Sequence, residues 1–95
     1  MAENTMVSKT LTVRNKMGLH ARPAAQLVHL AGGFQSELKL VRPDTRAEAD
    51  CSSVLSMLML AAGKNTVLEL RATGSDASEA ATTLESFFQR NFDEA

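Results

Sequence analysis

The stretch Gly18-Leu19-His20-Ala21-Arg22-Pro23-Ala24-Ala25 constrains the chain more than any other, because it fixes where a strand must give way to a helix. Upstream, Val7 to Arg14 alternates, with Val7, Leu11 and Val13 on one face, as a half-buried strand does. From Ala21 onward Ala21, Ala24, Ala25, Val28 and Ala31, with Leu27 beside them, fall at helical spacing, and Gly32-Gly33 offers a stop, which predicts a helix over roughly 21–31. Pro23 suits its first turn, where N–H groups have no intrahelical acceptor and a fixed φ is already helical.

His20 therefore sits at, or one residue before, a helix N-terminus. Free N–H groups and the positive end of the helix dipole favour an anion there, and a phosphoryl group carried on the ring would be one. The same positive end disfavours an imidazolium and leaves a neutral ring able to attack phosphorus. Arg22 supplies a planar, permanently charged fork for phosphate oxygens. A lone histidine at a helix start reads first as a cap or core residue; the whole string, between strand and helix, favours phosphate chemistry.

The rest of the chain follows in short alternating and helical blocks. Residues 1–6 read as a flexible leader, 7–92 as a single domain and 93–95 as an acidic tail, partly disordered apart from the neighbouring Phe92. Phe34, Ser36, Leu38 and Leu40 share one face of a second strand, Arg42-Pro43-Asp44-Thr45 is a turn by composition, and Arg46 to Asp50 returns as a short edge strand. Asp50-Cys51-Ser52-Ser53 offers N-caps for a short helix from Val54 to Ala61 or Ala62. Thr66 to Ala72 is a strand with Leu68, Leu70 and Ala72 inward. Thr73-Gly74-Ser75-Asp76 breaks and caps, and Ala77, Ala80, Ala81, Leu84, Phe87 and Phe88 mark one face of a closing helix to about Arg90. The order β-α-β-β-α-β-α packs most economically as an α+β fold, with three helices on one face of a four-stranded, mostly antiparallel sheet.

Composition narrows the function. Ninety-five residues with 44% hydrophobic side chains make one modest core. Ten basic against 11 acidic residues leave a net charge of −1, so no long-range pull toward nucleic acid or anionic lipid exists; with four Phe and no Tyr or Trp, nucleic-acid binding is not expected. The longest apolar run, Val54 to Ala62, is broken by Ser56 and too short to cross a bilayer, and no signal-like segment opens the chain, which predicts a cytoplasmic protein without membrane insertion. The single Cys51 agrees with a reducing compartment. Ala62-Gly63-Lys64-Asn65-Thr66 fails as a P-loop, because Leu58 stands where the leading glycine belongs and Asn65 follows the lysine. His20, His29 and Cys51 lack metal-ligand spacing, so neither metal nor cofactor is expected, and His29 reads as a flank residue of the first helix. No nucleophile elbow supports a hydrolase.

The motif around His20 resembles the active-site motif of the HPr family of histidine phosphocarriers, and the likeness extends from about Val7 to Phe92. The resemblance implies an open-faced β-sandwich. It further implies that the histidine at His20 takes a phosphoryl group on Nδ1 from enzyme I, charged by phosphoenolpyruvate, and gives it to an EIIA-type protein, with Arg22 holding and releasing it. Such a chain is a stoichiometric carrier of the phosphotransferase system, not an enzyme, and is expected to be a monomer. Some members carry a regulatory serine, acted on by a serine kinase/phosphorylase, that caps the second helix. Anchoring on Ser53 to Leu60 places it at Ser53, whereas counting from His20 without a gap places Cys51 there; the plain reading of Ser53 is a helix cap.

Val54, Leu55, Met57, Leu58, Met59 and Leu60 are apolar nearly all round the short second helix, more than so small a core can cover. An exposed patch of Val54, Leu55 and Leu58, facing the same side as His20, Ala21 and Ala25, is the expected partner surface. Ala-Thr-Gly at 72–74, Met-Leu-Met-Leu at 57–60 and Phe-Asp-Glu at 92–94 resemble the NPr-type carriers of nitrogen-linked regulatory phosphorelays more than sugar-uptake carriers; both branches stay open. The alternative from another class is a regulatory binding module of the same fold that signals through contacts and leaves His20 unused.

Overall fold

A computed structural model describes residues 5–94. The chain runs β1 (Thr5–Thr12), α1 (Ala21–Ala31), β2 (Glu37–Arg42), β3 (Ala47–Asp50), α2 (Val54–Leu58), β4 (Val67–Gly74) and α3 (Ala77–Gln89), then a single 3-10 turn over Asn91–Asp93. The strands form one sheet in the order β1-β4-β2-β3. Every pairing is antiparallel: Leu11 stands opposite Leu68, Leu40 opposite Leu70, and Leu40 opposite Ala49. Three helices on this sheet make the open-faced β-sandwich.

Alternation in the strands decides which face is covered. Leu11, Leu38, Leu40, Ala49, Leu68, Leu70 and Ala72 are buried on the inner face. The Ala77, Ala80, Ala81, Leu84, Phe87 and Phe88 stripe of α3 packs on them, and Pro23, Ala24 and Leu27 of α1 are buried too. Each fully buried leucine here contributes about 1.5–3 kcal/mol of transfer free energy. The outer face is polar, with Arg71 bonded to Glu69 and Lys39 Nζ 3.4 Å from Glu37. Cys51 is fully buried, and burial pushes its thiol up to about 12.

Five features depart from the pattern read in the sequence, the first being that β2 begins at Glu37, so Phe34 and Ser36 precede the strand rather than share its face. β1 starts at Thr5, so Thr5 and Met6 belong to the sheet rather than to a leader, opposite Gly74 and Thr73 of a β4 that runs two residues past Ala72; residues 1–4 of the leader and Ala95 of the tail lie outside the described residues. α2 stops at Leu58 instead of Ala61 or Ala62. The reason lies 18 residues upstream in sequence: Arg42 donates from Nη1 to the Leu60 and Ala61 carbonyls at 2.9 and 2.8 Å, and Ala61 turns to a left-handed φ of 51°. α1 ends at Gly32 in a right-handed conformation, φ −63°, so no left-handed glycine makes the stop. Glu94 of the acidic tail folds back onto the body of the protein, as described below.

Asp76 stands at the N-cap of α3 but does not cap it with its side chain. Its carboxylate instead accepts from Gln35 N–H at 2.8 Å, and from Ser36 N–H and Oγ at 2.9 and 2.5 Å, which ties the end of the α1–β2 connection to the start of α3. The Ser36 hydroxyl foremost, with the two N–H donors, holds this carboxyl below its ordinary range. A carboxyl with a depressed folded-state pKa stabilises the fold above its unfolded pKa of about 3.9 and loses that contribution as pH falls through the lower folded value. Asp76→Asn is therefore expected to lower the thermal midpoint at pH 7 and to flatten its decline below about pH 4 relative to wild type; midpoints measured from pH 2 to 7 that run parallel for the two proteins would contradict this role.

Candidate functional site

The approach to His20 is set by Gly18. Its φ of 71° is left-handed, and a Cβ there would lie 2.5 Å from the Ala62 carbonyl oxygen and 2.8 Å from Gly63 Cα. This close approach lets Leu19 N–H donate to the Ala62 carbonyl at 2.9 Å, so the loop bearing His20 is fastened to the exit from α2. Asn15, almost fully buried, supports the same loop by donating from Nδ2 to the Gly18 carbonyl at 2.8 Å.

His20 is the N-cap of α1, with φ −90° and ψ −172°. Its carbonyl accepts from Ala24 N–H at 3.1 Å while its ring makes no cap bond, so the ring is free for another role. That ring is about a quarter exposed and bonds through Nε2 to Glu94 Oε2 at 2.7 Å. Among the described residues Nδ1 has no hydrogen-bond partner. Arg22, the second residue of α1, is exposed and forms no hydrogen bond or ion pair among the described residues, which leaves its guanidinium available to an incoming anion. Ala21 and Ala25 are exposed on the same helix.

Glu94 is the site residue that periodicity did not signal. Its other oxygen, Oε1, accepts from Asn15 Nδ2 at 2.8 Å. The Asn15 bond first, then the His20 bond and the charge of Arg22, hold its carboxyl below the ordinary range against partial burial. The tail reaches this position through three successive left-handed residues, Asn91, Phe92 and Asp93, at φ 55°, 57° and 58°. Such residues cost about 1–2 kcal/mol each, and the burial of Phe92 offsets part of this: its ring lies 4.8 Å from Phe88 and 5.3 Å from Phe87 between centroids. Phe92 was the legible clue, an aromatic residue set in an acidic end. Among the described residues no three His, Cys, Asp or Glu side chains converge.

α2 packs against α1 and exposes Leu55 and Leu58, with Met59 just beyond its end. Val54, expected in the exposed patch, is only partly exposed and leans on the core. Met57 and Leu60 face inward. Ser53 caps α2, its Oγ accepting from Ser56 N–H at 3.1 Å, while Cys51 is sealed in the core. His29 is exposed on the flank of α1. No helix in the described residues is long and apolar enough to cross a membrane.

The family model described as "PTS HPr component phosphorylation site" matches residues 7–90, a span that includes His20. The chain belongs to the HPr family of phosphocarriers. It is 41% identical over 88 residues to the phosphocarrier protein NPr of Escherichia coli K12, covering 93% of this chain and 97% of that one. It is 42% identical over 89 residues to the phosphocarrier protein HPr of Treponema pallidum, covering 94% and 99%. The crystal structure of an HPr from Thermoanaerobacter tengcongensis superposes with a TM-score of 0.87 at 30% identity, over 94% of this chain and 98% of that one. The names of these relatives describe phosphocarriers, and this chain shares the HPr fold over 94% of its length.

The left-handed, crowded position of Gly18 gives a direct test of how the site is held. Gly18→Ala is expected to destabilise the protein by about 2–3 kcal/mol, whereas Gly63→Ala, with open space around its Cβ, changes stability by less than about 1 kcal/mol. Urea unfolding of both variants measures the difference, and equal midpoints would remove the close approach as the constraint on the loop.

Proposed function

We propose that this chain is a stoichiometric phosphocarrier of the cytoplasm that accepts a phosphoryl group on His20 Nδ1 from enzyme I, charged by phosphoenolpyruvate, and passes it to an EIIA-type protein. The observation that carries this reading is the ring of His20 at the start of α1, with Nδ1 unengaged and the Arg22 guanidinium on the first turn unpaired among the described residues. The N–H groups of Ala21 and Arg22 have no intrahelical acceptor, so the helix start supplies donors and a positive dipole end to a phosphoryl group. Arg22 adds charge that a transferring phosphoryl group needs on its equatorial oxygens.

A carrier must present the same nitrogen to two different proteins, which favours a shallow site over a pocket. Ala21 and Ala25 on α1, with Leu55, Leu58 and the partly exposed Val54 on α2, form the docking surface in this reading, extended by Met59. Flexible methionine and leucine side chains adapt to more than one partner. The protein acts as a monomer, and Ser53 serves as the cap of α2, since its hydroxyl is engaged by Ser56 N–H. Ala72-Thr73-Gly74, Met57 to Leu60 and the Phe92-Asp93-Glu94 ending support the regulatory, nitrogen-linked branch over sugar uptake in this reading, while the 41% identity to an NPr is matched by 42% to an HPr.

The test is incubation with enzyme I and labelled phosphoenolpyruvate. Wild type is expected to take up acid-labile label, His20→Ala to take up none, and Arg22→Ala to be labelled about tenfold more slowly or worse. Wild type that stays unlabelled beside an active cognate enzyme I would overturn the carrier reading and leave the contact-only regulatory module in its place.

A further inference from the structure

We propose that Glu94 is a positioning residue for phosphoryl transfer: its carboxylate holds the proton on His20 Nε2 and so leaves Nδ1 as the reacting nitrogen in both directions. This rests on the carrier reading and adds to it the tail residue that orients the ring. The geometry is direct. An ionised carboxylate only accepts hydrogen bonds, so at 2.7 Å from Oε2 the ring nitrogen Nε2 must be the donor. A neutral imidazole carries one N–H; with that hydrogen on Nε2, Nδ1 presents a bare lone pair. The two nitrogens point away from each other across the ring, so carboxylate and phosphoryl group occupy opposite sides of it.

Glu94 is itself held. Asn15 Nδ2 bonds both Glu94 Oε1 and the Gly18 carbonyl, each at 2.8 Å, joining the tail to the loop that carries His20. Phe92 anchors the turn behind it on Phe87 and Phe88. The groups facing Glu94 are the His20 ring, Asn15 and, at longer range, the Arg22 charge; Asp93, the neighbouring acid, is turned to Arg90 at 2.9 Å.

The transfer then balances without moving a proton. The Nδ1 lone pair attacks phosphorus, the N–P bond forms, and the bond from phosphorus to the donor breaks with its electron pair leaving on the donor. The ring is now a phosphoimidazolium that keeps its Nε2–H, and the Glu94 carboxylate faces its positive charge. In the onward step the N–P electron pair returns to Nδ1 and the ring leaves as neutral imidazole, again with Nε2–H in place.

The experiment uses potassium phosphoramidate, which needs no protein donor, on the full chain carrying His29→Gln, so that His20 is its one histidine. Nitrogen-15 and phosphorus-31 NMR identify the labelled nitrogen, and circular dichroism checks the fold of each variant. With Glu94 present, label is expected on Nδ1; Glu94→Ala is expected to spread it over Nδ1 and Nε2. Glu94→Gln, which can still accept from Nε2–H, is expected to keep label on Nδ1 as wild type does. Label confined to Nδ1 in the folded alanine variant overturns the proposal. Failure of enzyme I to label wild type would sink the carrier reading alone, since the chemical donor tests Glu94 independently of it.

Discussion

Burial of one face of the sheet beneath α3 is the interaction on which the rest of the structure depends. β4 lies between β1 and β2, and its Leu68, Leu70 and Ala72 meet inner-face residues from both neighbours before α3 covers them. Several leucines at about 1.5–3 kcal/mol each, together with Phe87 and Phe88, form a core that needs little from the connecting loops. Those loops are therefore free to be shaped by local constraints: the left-handed Gly18, the Arg42 bonds to the Leu60 and Ala61 carbonyls, and the Asp76 bonds to Gln35 and Ser36. The site at His20 sits where two of these loops touch, and it inherits its rigidity from the core without being inside it.

What could be read from the sequence was what has a period. Val7, Leu11 and Val13, Leu68, Leu70 and Ala72, and the Ala77 to Phe88 stripe announce their faces because burial repeats every two or every three to four residues. The position of His20 at a helix start was legible for the same reason, together with Pro23. α2 was read too long because nothing local ends it; the signal is Arg42, whose reach to Leu60 and Ala61 depends on the β2–β3 hairpin lying beside the α2 exit. Asp76 looked like a cap and occupies that backbone position, but three donors from a segment forty residues away offer its carboxylate more hydrogen bonds than the start of α3 does. Glu94 was invisible to periodicity because its partners, His20 and Asn15, lie 74 and 79 residues away.

The chain combines a partly exposed histidine ring with a defined geometry. A histidine on a loop tip would sample several rotamers, and a buried one would be out of reach of partner proteins. Here the backbone of His20 is fixed by its N-cap place in α1, with its N–H on the Gly18 carbonyl and its own carbonyl on Ala24 N–H, while one ring edge is fixed by Glu94 and the other is left open. Met17 before α1, Leu55 in the first turn of α2 and Met59 at its end, all largely exposed, supply adaptable apolar surface. Order in the ring and adaptability in the surface are thus assigned to different residues.

The tail shows how strain and charge are balanced to reach that state. Three consecutive left-handed residues would not persist at an exposed end by themselves. The Phe92 ring, almost fully buried between Phe87 and Phe88, holds the turn from the inside, and the Arg90 to Asp93 bond braces it on the surface, where an ion pair adds at most about 1 kcal/mol. The aromatic anchor must therefore carry most of the offset, and the contact of Glu94 with His20 is its downstream consequence. It follows that a change at Phe92, whose ring packs on Phe87 and Phe88, would act on the His20 ring through the loss of Glu94, coupling the packing of α3 to the start of α1.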